Sequence, residues 1–461
     1  MLPPLFLQRM AALLGDEYAA FLASYDAAPA TGLRVNTLKI AVEAFRGVAP
    51  FALTPVPWCP AGFIVSRDAE PGKHPWHAAG LYYLQEPSAM AVAGLLDPQP
   101  GERVLDLAAA PGGKATHIAS LMADEGLLIA NEPHPQRAWT LAENLERWGA
   151  ANVAITNETP ERLADRFAGF FDRVLLDAPC SGEGMFRKSE AARREWSPAL
   201  VQGCAQRQSL ILEQAARLVR PGGRLVYATC TFAPEEDEGV IARFLDAHSD
   251  FALVPAPPRP GFAAGRPDWI GRVSASGSAD LAAAVRLWPH TGPGEGHFIA
   301  VLRRRSDADV PASQPKPWRH AALPRPVERA YQEFCAQNLA SAAAAERLAL
   351  VGAYLYALPP GLPDLTGLRF LHPGRWLGTL KKGRFEPSHA LALCLRPADA
   401  LRCADLPADS PELHAYLRGE SFRSAGEDGW TLIAADGFAV GWGKRVAGVM
   451  KSHYPRGLRW N

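Results

Sequence analysis

Between residues 103 and 229 five short apolar runs alternate with helical patterns, and this alternation limits the fold more than any other feature. The runs are Arg103–Leu107, Leu127–Asn131, Ala151–Thr156, Arg173–Leu176 and Gly223–Thr229. Helical periodicity marks Ala115–Met122, Pro135–Trp148 and Gln206–Val219. Strands joined through helices lie parallel, so the pattern predicts an α/β fold, a parallel sheet with helices on both faces. Two further runs, Ala284–Leu287 and His297–Leu302, are candidates for a closing hairpin.

The rest of the chain divides around this block. At roughly 100–200 residues per domain, 461 residues allow two to four domains. Residues 1–25 read as helical. Residues 31–75 mix short apolar runs with turn signals such as Thr31-Gly32 and Pro71-Gly72, giving a small α+β module over 1–80. The sheet-forming block is expected over 81–304. Residues 305–328, rich in Pro, Ser and Asp, read as a linker. Residues 329–461 read as a separate α+β module that opens with an Ala-rich helix over Tyr331–Leu350 and ends in short, Gly-punctuated strands.

Composition excludes several classes. The 48 Lys and Arg balance the 48 Asp and Glu, which rules out a uniformly basic nucleic-acid coat but leaves room for a local patch. Seven scattered Cys, with no CxxC pair, fit neither a disulfide scaffold nor a Cys-rich zinc site, and no metal is expected. The apolar start carries Pro3, Pro4, Arg9, Asp16 and Glu17, so it reads as a capped amphipathic helix and not a signal peptide. No uncharged apolar run reaches 18 residues, so no membrane span or membrane partner is expected, and the cytoplasm is the default setting.

The first strand of the block runs into a loop of small residues, Ala108-Ala109-Ala110-Pro111-Gly112-Gly113-Lys114, and then a helix. Small residues let a ligand approach the backbone, and a helix N-terminus favours negative charge. Neither a P-loop nor the GxGxxG fingerprint is present. Glu132 closes the second strand, where a carboxylate suits ribose hydroxyls. An adenosine ligand without phosphates, S-adenosylmethionine, fits; a plain strand-to-helix turn is the alternative.

Two cysteines sit just beyond neighbouring strands, in Asp177-Ala178-Pro179-Cys180-Ser181-Gly182-Glu183-Gly184 and Thr229-Cys230-Thr231. A lone buried Cys is ordinarily a small hydrophobe. Here Asp177, Cys180 and Cys230 are expected to converge at the carboxyl ends of two strands, where α/β sheets bind ligands. Such a set suits methylation of a pyrimidine at carbon 5. A thiolate adds to carbon 6, and a carboxyl group at nitrogen 3 offsets the ring charge. The thiol needs local activation, because a free Cys has a pKa of about 8.5.

These three segments resemble the Sun-type RNA cytosine-5 methyltransferases, over about residues 30–305, and in particular the bacterial 16S ribosomal RNA methyltransferases of the RsmF type. The resemblance implies a Rossmann-like class I methyltransferase core behind a small N-terminal RNA-binding module. It also implies a C-terminal PUA-like RNA-binding module, which Gly437–Arg445 and His453–Trp460 resemble. It makes Cys230 the nucleophile, with Cys180 assisting proton removal or product release. Asp177 is implied at nitrogen 3 and at the cofactor, and Lys114 near the reacting base. Residues 108–114 with Glu132 are implied to hold S-adenosylmethionine. Two positions depart from the family pattern. Ala108 stands where Cys is frequent, and no acidic residue ends the third strand, so Asn157 or Thr159 is left to meet the cofactor.

The RNA readings rest on charge and on the same resemblance. From Gly437 to Asn461 there is no acidic residue, and Lys444, Arg445 and Lys451 lie among Trp442, Tyr454 and Trp460. Arg375, Lys381, Lys382 and Arg384 form a second cluster. Basic and aromatic side chains together suit phosphate contact and base stacking, although a solvated basic face would look the same. Arg34 and Asn36, in a segment that resembles one near the family's RNA path, are further RNA-binding candidates; capping and pairing a strand is their alternative role. The expected partner is RNA, 16S ribosomal RNA or the small ribosomal subunit. Transfer RNA as substrate and a non-catalytic RNA-binding assembly factor are the rival readings.

Overall fold

The computed structural model describes residues 1–271, 281–309, 313–318, 321–340 and 347–460. Its centre is the expected sheet. Five parallel strands, β1 (Arg103–Asp106), β2 (Leu127–Asn131), β3 (Val153–Thr156), β4 (Phe171–Asp177) and β5 (Val219–Thr229), are joined by β6 (Val285–Leu287) and β7 (His297–Arg304). Their order is β3-β2-β1-β4-β5-β7-β6, with β7 antiparallel to both β5 and β6. The two last strands therefore form the closing hairpin at one side of the parallel set.

Helices cover both faces. Met90–Leu96, Gly113–Leu121 and Pro135–Trp148 bury Met90, Ile118, Leu141 and Trp148 against one face. Pro160–Arg166, Pro198–Leu218 and Glu238–Ala247 bury Leu163, Leu212 and Phe244 against the other. Because both faces are covered, the strands are apolar throughout, as β2 is over Leu127–Ala130. Local capping fixes where helices begin. Ser197 accepts from Leu200 N–H ahead of Pro198, and Gly149 closes Pro135–Trp148 in the left-handed region.

The chain ends are less separate than the sequence indicates. Thr31-Gly32 is no turn: Thr31–Val35 is a strand in a four-stranded antiparallel sheet with Thr54–Val56, Cys59–Val65 and Tyr82–Leu84. The first helix, Pro4–Leu14, starts on a proline and has no side-chain cap. The helix expected over Tyr331–Leu350 is Arg325–Asn338, and Leu348–Val351 is a strand; residues 341–346 lie outside the described set. The C-terminal region does not stand apart. Its strand β8 (Phe370–His372) pairs antiparallel with β3, and Tyr356, Leu358, Leu362 and Leu365 join the core of the central sheet. Within the segment read as a linker, Trp318 N–H donates to Leu362 O and the side chain packs on that core. The last sheet, which includes Gly429–Ala435, Phe438–Val446 and Val449–Ser452, shares a core with the N-terminal module: Tyr416, Ile433 and Met450 pack with Leu33, Phe45 and Trp76.

Arg34 and Asn36 anchor these parts together, and both are fully buried. The Arg34 guanidinium donates to Gln85 Oε1 at 2.9 Å, Gly113 O at 3.0 Å and Thr116 Oγ1 at 2.7 Å, and lies 4.7 Å from the Trp148 ring. Asn36 Nδ2 donates to Gly80 O and Trp148 O, each at 2.8 Å. Neither offers an atom to RNA, which corrects the sequence reading. Replacing Arg34 with Met removes three hydrogen bonds and leaves the buried Gln85 Oε1 without its donor. We expect the urea midpoint to fall by the equivalent of about 2–4 kcal/mol at unchanged m-value. A loss below about 1 kcal/mol, within the range of an ordinary hydrogen bond, would show that the anchor lies elsewhere.

Candidate active site

Three strand ends build the site. β1 delivers Asp106 and the loop 108–114; β4 delivers Asp177 and, three residues on, Cys180; β5 delivers Cys230. Parallel pairing sets Asp177 opposite Ala228, and Ala178 N–H donates to Ala228 O at 2.8 Å. The two chains therefore leave the sheet side by side, and Cys180 Sγ lies 3.3 Å from Cys230 Sγ. Gly184 N–H returns to Cys230 O at 2.8 Å, and a Cβ on Gly184 would sit 2.8 Å from that oxygen, so only glycine allows the approach.

The loop after β1 is fixed from several sides. Ala109 N–H donates to Asn131 O, while Arg137 and Asn144 donate to Ala110 O and Pro111 O. Gly112 has φ +116°, a conformation that turns the loop into the helix beginning at Gly113. Lys114, in the first turn of that helix, donates to Asp177 Oδ2 at 2.6 Å.

These groups surround a cavity of about 300 Å³, lined by Ala108–Pro111, Gly113, Lys114, Asp177 and Cys230, together with Tyr83, Gln85, Asp106 and His297. Cys180 is not on its wall, although its sulfur is 3.3 Å from that of Cys230. Burial opposes the charge on Lys114, but the Asp177 carboxylate outweighs it and the ammonium is held above its usual range. The hydrogen bond to Cys230 and then burial push the Cys180 thiol well up, so Cys180 keeps its proton. Asp106 is raised to about 8 by burial and then by the Asp177 charge; both its oxygens lack a hydrogen-bond partner. Behind the cysteines, Glu236 accepts from Ser181 N–H at 2.9 Å and from Gln208 at 2.8 Å, and is raised to about 7 mainly by burial. It ties the Cys180 segment to the turn after β5.

Glu132 ends β2 beside the loop and is 2% exposed. One oxygen accepts from His134 N–H at 3.0 Å; the other, Oε2, has no hydrogen-bond partner and only Arg137 at 3.6 Å. A buried acceptor left open next to a loop without side-chain bulk fits a nucleoside ribose. Glu132, Asn157 and Thr159 all stand outside the cavity wall, but of the three only Glu132 keeps a buried side-chain acceptor without a hydrogen-bond partner. Asn157 Nδ2 donates to Glu132 O and Pro133 O, and Thr159 Oγ1 caps Pro160–Arg166, so both serve the backbone. The nearby acid, Glu158, is fully buried between Arg162 and Arg369. Among the described residues no group of His, Cys, Asp and Glu could hold a metal ion, and no helix is long and apolar enough to cross a membrane.

The basic candidates divide. Lys444 and Lys451 are exposed and face each other directly across Phe438–Val446 and Val449–Ser452. Lys444 Nζ is 5.5 Å from the Trp430 ring, and burial and then the charges of Lys444, Lys381 of the second cluster and Lys451 hold His453 below its usual range. Arg445 is 4% exposed and donates to Glu427 O and Ser424 Oγ; it holds a turn and is corrected from the RNA-binding set. Asp106, Gln85 and His297 escaped the sequence reading. Asp106 had a visible signal, an acid ending an apolar strand just before the loop. The other two are single polar residues without a pattern.

The strand order, with its antiparallel β7, and the loop beside Glu132 define an S-adenosylmethionine-dependent methyltransferase. The chain belongs to the 16S rRNA methyltransferase RsmB/F family, whose model matches residues 93–303. Models described as the RsmF N-terminal domain, first C-terminal domain and PUA domain match residues 2–87, 333–395 and 403–460. The chain is 35% identical over 486 residues to ribosomal RNA small subunit methyltransferase F of Erwinia tasmaniensis, covering 99% of this chain and 96% of the relative. For the Klebsiella pneumoniae protein of that name the values are 33%, 99% and 96%. A methyltransferase homolog from Pyrococcus horikoshii superposes with a TM-score of 0.56 at 32% identity, over 65% of this chain and 94% of that one. The fold is also that of NSun6 from Pyrococcus horikoshii, solved with SFG, at TM-score 0.55 and 22% identity over 66% of this chain and 99% of that one.

Glu132→Ala removes the open acceptor. Calorimetry should find S-adenosylmethionine binding weaker by about 1–3 kcal/mol, the range for a charged hydrogen bond. Unchanged affinity would take Glu132 out of the cofactor site.

Proposed function

We propose that this chain methylates carbon 5 of a cytosine in 16S ribosomal RNA through a covalent bond between Cys230 and carbon 6 of the base. The observation that carries this reading is the arrangement around the cavity: Cys230 on the wall with the Lys114–Asp177 pair, and Cys180 Sγ 3.3 Å from the Cys230 sulfur. The relatives' names supply the ribosomal substrate, and such RNA places the reaction in the cytoplasm.

The target base must leave its stack to enter a cavity this enclosed. Lys114 stabilises the Cys230 thiolate by its charge, and Cys180 donates a hydrogen bond to the same sulfur. As the thiolate bonds to carbon 6, negative charge develops on the ring. The proton shared by Lys114 and Asp177 is presented at nitrogen 3, where it offsets that charge. The loop 108–114 and Glu132 would hold S-adenosylmethionine, which when bound would supply the methyl group for carbon 5. Loss of the carbon 5 proton to a base then breaks the bond to Cys230, and Cys180 assists the departing sulfur.

Two measurements test this reading. Labelled S-adenosylmethionine offered with separate 16S and transfer RNA pools should mark only the 16S RNA, as 5-methylcytosine. Label in transfer RNA would reassign the substrate, and no label in either would leave a non-catalytic binder. On a denaturing gel, Cys180→Ala should accumulate a protein–RNA adduct that disappears when Cys230→Ala is added; an adduct trapped by Cys230→Ala alone would reverse the two roles.

The exposed lysines carry the RNA-binding part of the reading. Like charges directly opposite on neighbouring strands repel, and a phosphate between Lys444 and Lys451 would relieve this. Changing both to Gln should weaken RNA binding and reduce the slope of log K against log salt by about 1–2. The rate at saturating RNA should change little. An unaltered slope would remove this face from the interface.

A further inference from the structure

His297 opens β7 and is 6% exposed, yet it lines the cavity that holds Lys114, Asp177 and Cys230. Its Nδ1 is 2.8 Å from Gly296 O and 3.2 Å from Ser88 Oγ. The carbonyl can only accept. The Ser88 hydroxyl proton is already committed to Glu86 Oε2, so Ser88 also accepts from His297. Nδ1 must therefore carry the ring proton, and Nε2 is left as an acceptor. That Nε2 is buried and has no hydrogen-bond partner. Burial, and then the Lys114 charge, hold the imidazole below its usual range, so the ring is neutral and the acceptor is retained.

A buried acceptor left open on a residue that lines the cavity calls for a donor, and a ligand in the cavity can bring one. Glu86 maintains the network: its carboxylate also accepts from Ser88, Ala89 and Glu295 N–H groups, which fixes Ser88 against the histidine. Cytosine and uracil differ along the edge that carries position 4. Cytosine presents an amino donor there and uracil a carbonyl acceptor.

We infer that His297 Nε2 accepts the hydrogen bond of the cytosine 4-amino group and selects cytosine over uracil in the pocket. This inference rests on the cytosine reading above. A uracil would set two acceptors against each other and leave both unpaired, a mismatch that hydrogen-bonding sites reject strongly.

The test compares one RNA with two target bases. Bisulfite sequencing of 16S RNA treated with the wild-type enzyme gives the position. RNAs are then made with cytosine or with pyrimidin-2-one, which lacks the 4-amino group, at that position. His297→Asn keeps a donor near Gly296 O but removes the acceptor at the Nε2 position. It should lower kcat/KM on the cytosine RNA by about 10–100-fold, the value of one buried hydrogen bond, and on the pyrimidin-2-one RNA by less than about 3-fold. His297→Gln, whose amide oxygen can reach that position, should recover most of the cytosine rate. His297→Phe repeats the loss by a second route if the Asn variant does not fold.

Equal losses on both RNAs would overturn the assignment. So would weaker S-adenosylmethionine binding with an unchanged preference between bases. If the wild-type enzyme methylates no cytosine, the proposed function fails; if it does and the variants keep its base preference, only the role of His297 fails.

Discussion

The parallel pairing of β4 with β5 is the constraint on which the site depends. Its register sets Asp177 beside Ala228, and everything beyond follows from two chains leaving the sheet at the same level. A slip of one residue would turn one cysteine to the other face of its strand and separate the sulfurs. The register is secured on both sides of the exit. Apolar side chains of Val174, Leu176, Leu225 and Tyr227 lock the strands within the core. Glu236, Ser181 and Gly184 then tie the two segments together beyond the sheet. Core packing and the buried polar network therefore reinforce one geometry.

The electrostatics of the cavity depend on one cation. Lys114 is drawn into a buried position where its charge would be costly alone, and Asp177 makes that charge tolerable. Asp106, on the adjoining strand, is raised to about 8 by its own burial and then by the Asp177 charge, and the Lys114 ammonium only partly offsets this. His297 feels the same ammonium and stays neutral. Burial thus keeps Asp106 and His297 uncharged beside a charged Lys114–Asp177 pair, and a pocket that reads a polar base needs both kinds of group.

The sequence revealed the central sheet because strands buried on both faces leave continuous apolar runs, as Leu127–Asn131 does, and Pro135–Trp148 is bounded by its own proline and glycine signals. Convergence of Asp177, Cys180 and Cys230 was also legible, since topology dictates where strand ends meet. Burial was not. Arg34, Asn36 and Arg445 are polar residues in promising contexts, but whether a guanidinium faces solvent or closes a core depends on partners far away in sequence, such as Thr116 for Arg34. The helix expected to run on to Leu350 ends at Asn338, and Leu348–Val351 instead pairs with Tyr354–Ala357, where strand pairing outweighs local preference. Asn157 or Thr159 stands where the family pattern has an acid, and what the sequence does not show is that both side chains also bond the local backbone.

The strand β8 has a consequence for how the molecule is made. It completes the edge of the catalytic sheet next to β3, although more than 200 residues separate them in the chain. The N-terminal module meets its partner even later: Trp76 Nε1 donates to Asp436 Oδ2 across 360 positions. At a synthesis rate of about 5–20 residues per second, the early segments wait on the order of tens of seconds for the surfaces that cover them. While the middle of the chain emerges, the edge of β3 and the surface around Trp76 therefore stay uncovered, and the segments from residue 370 onward act as the clasp that closes them.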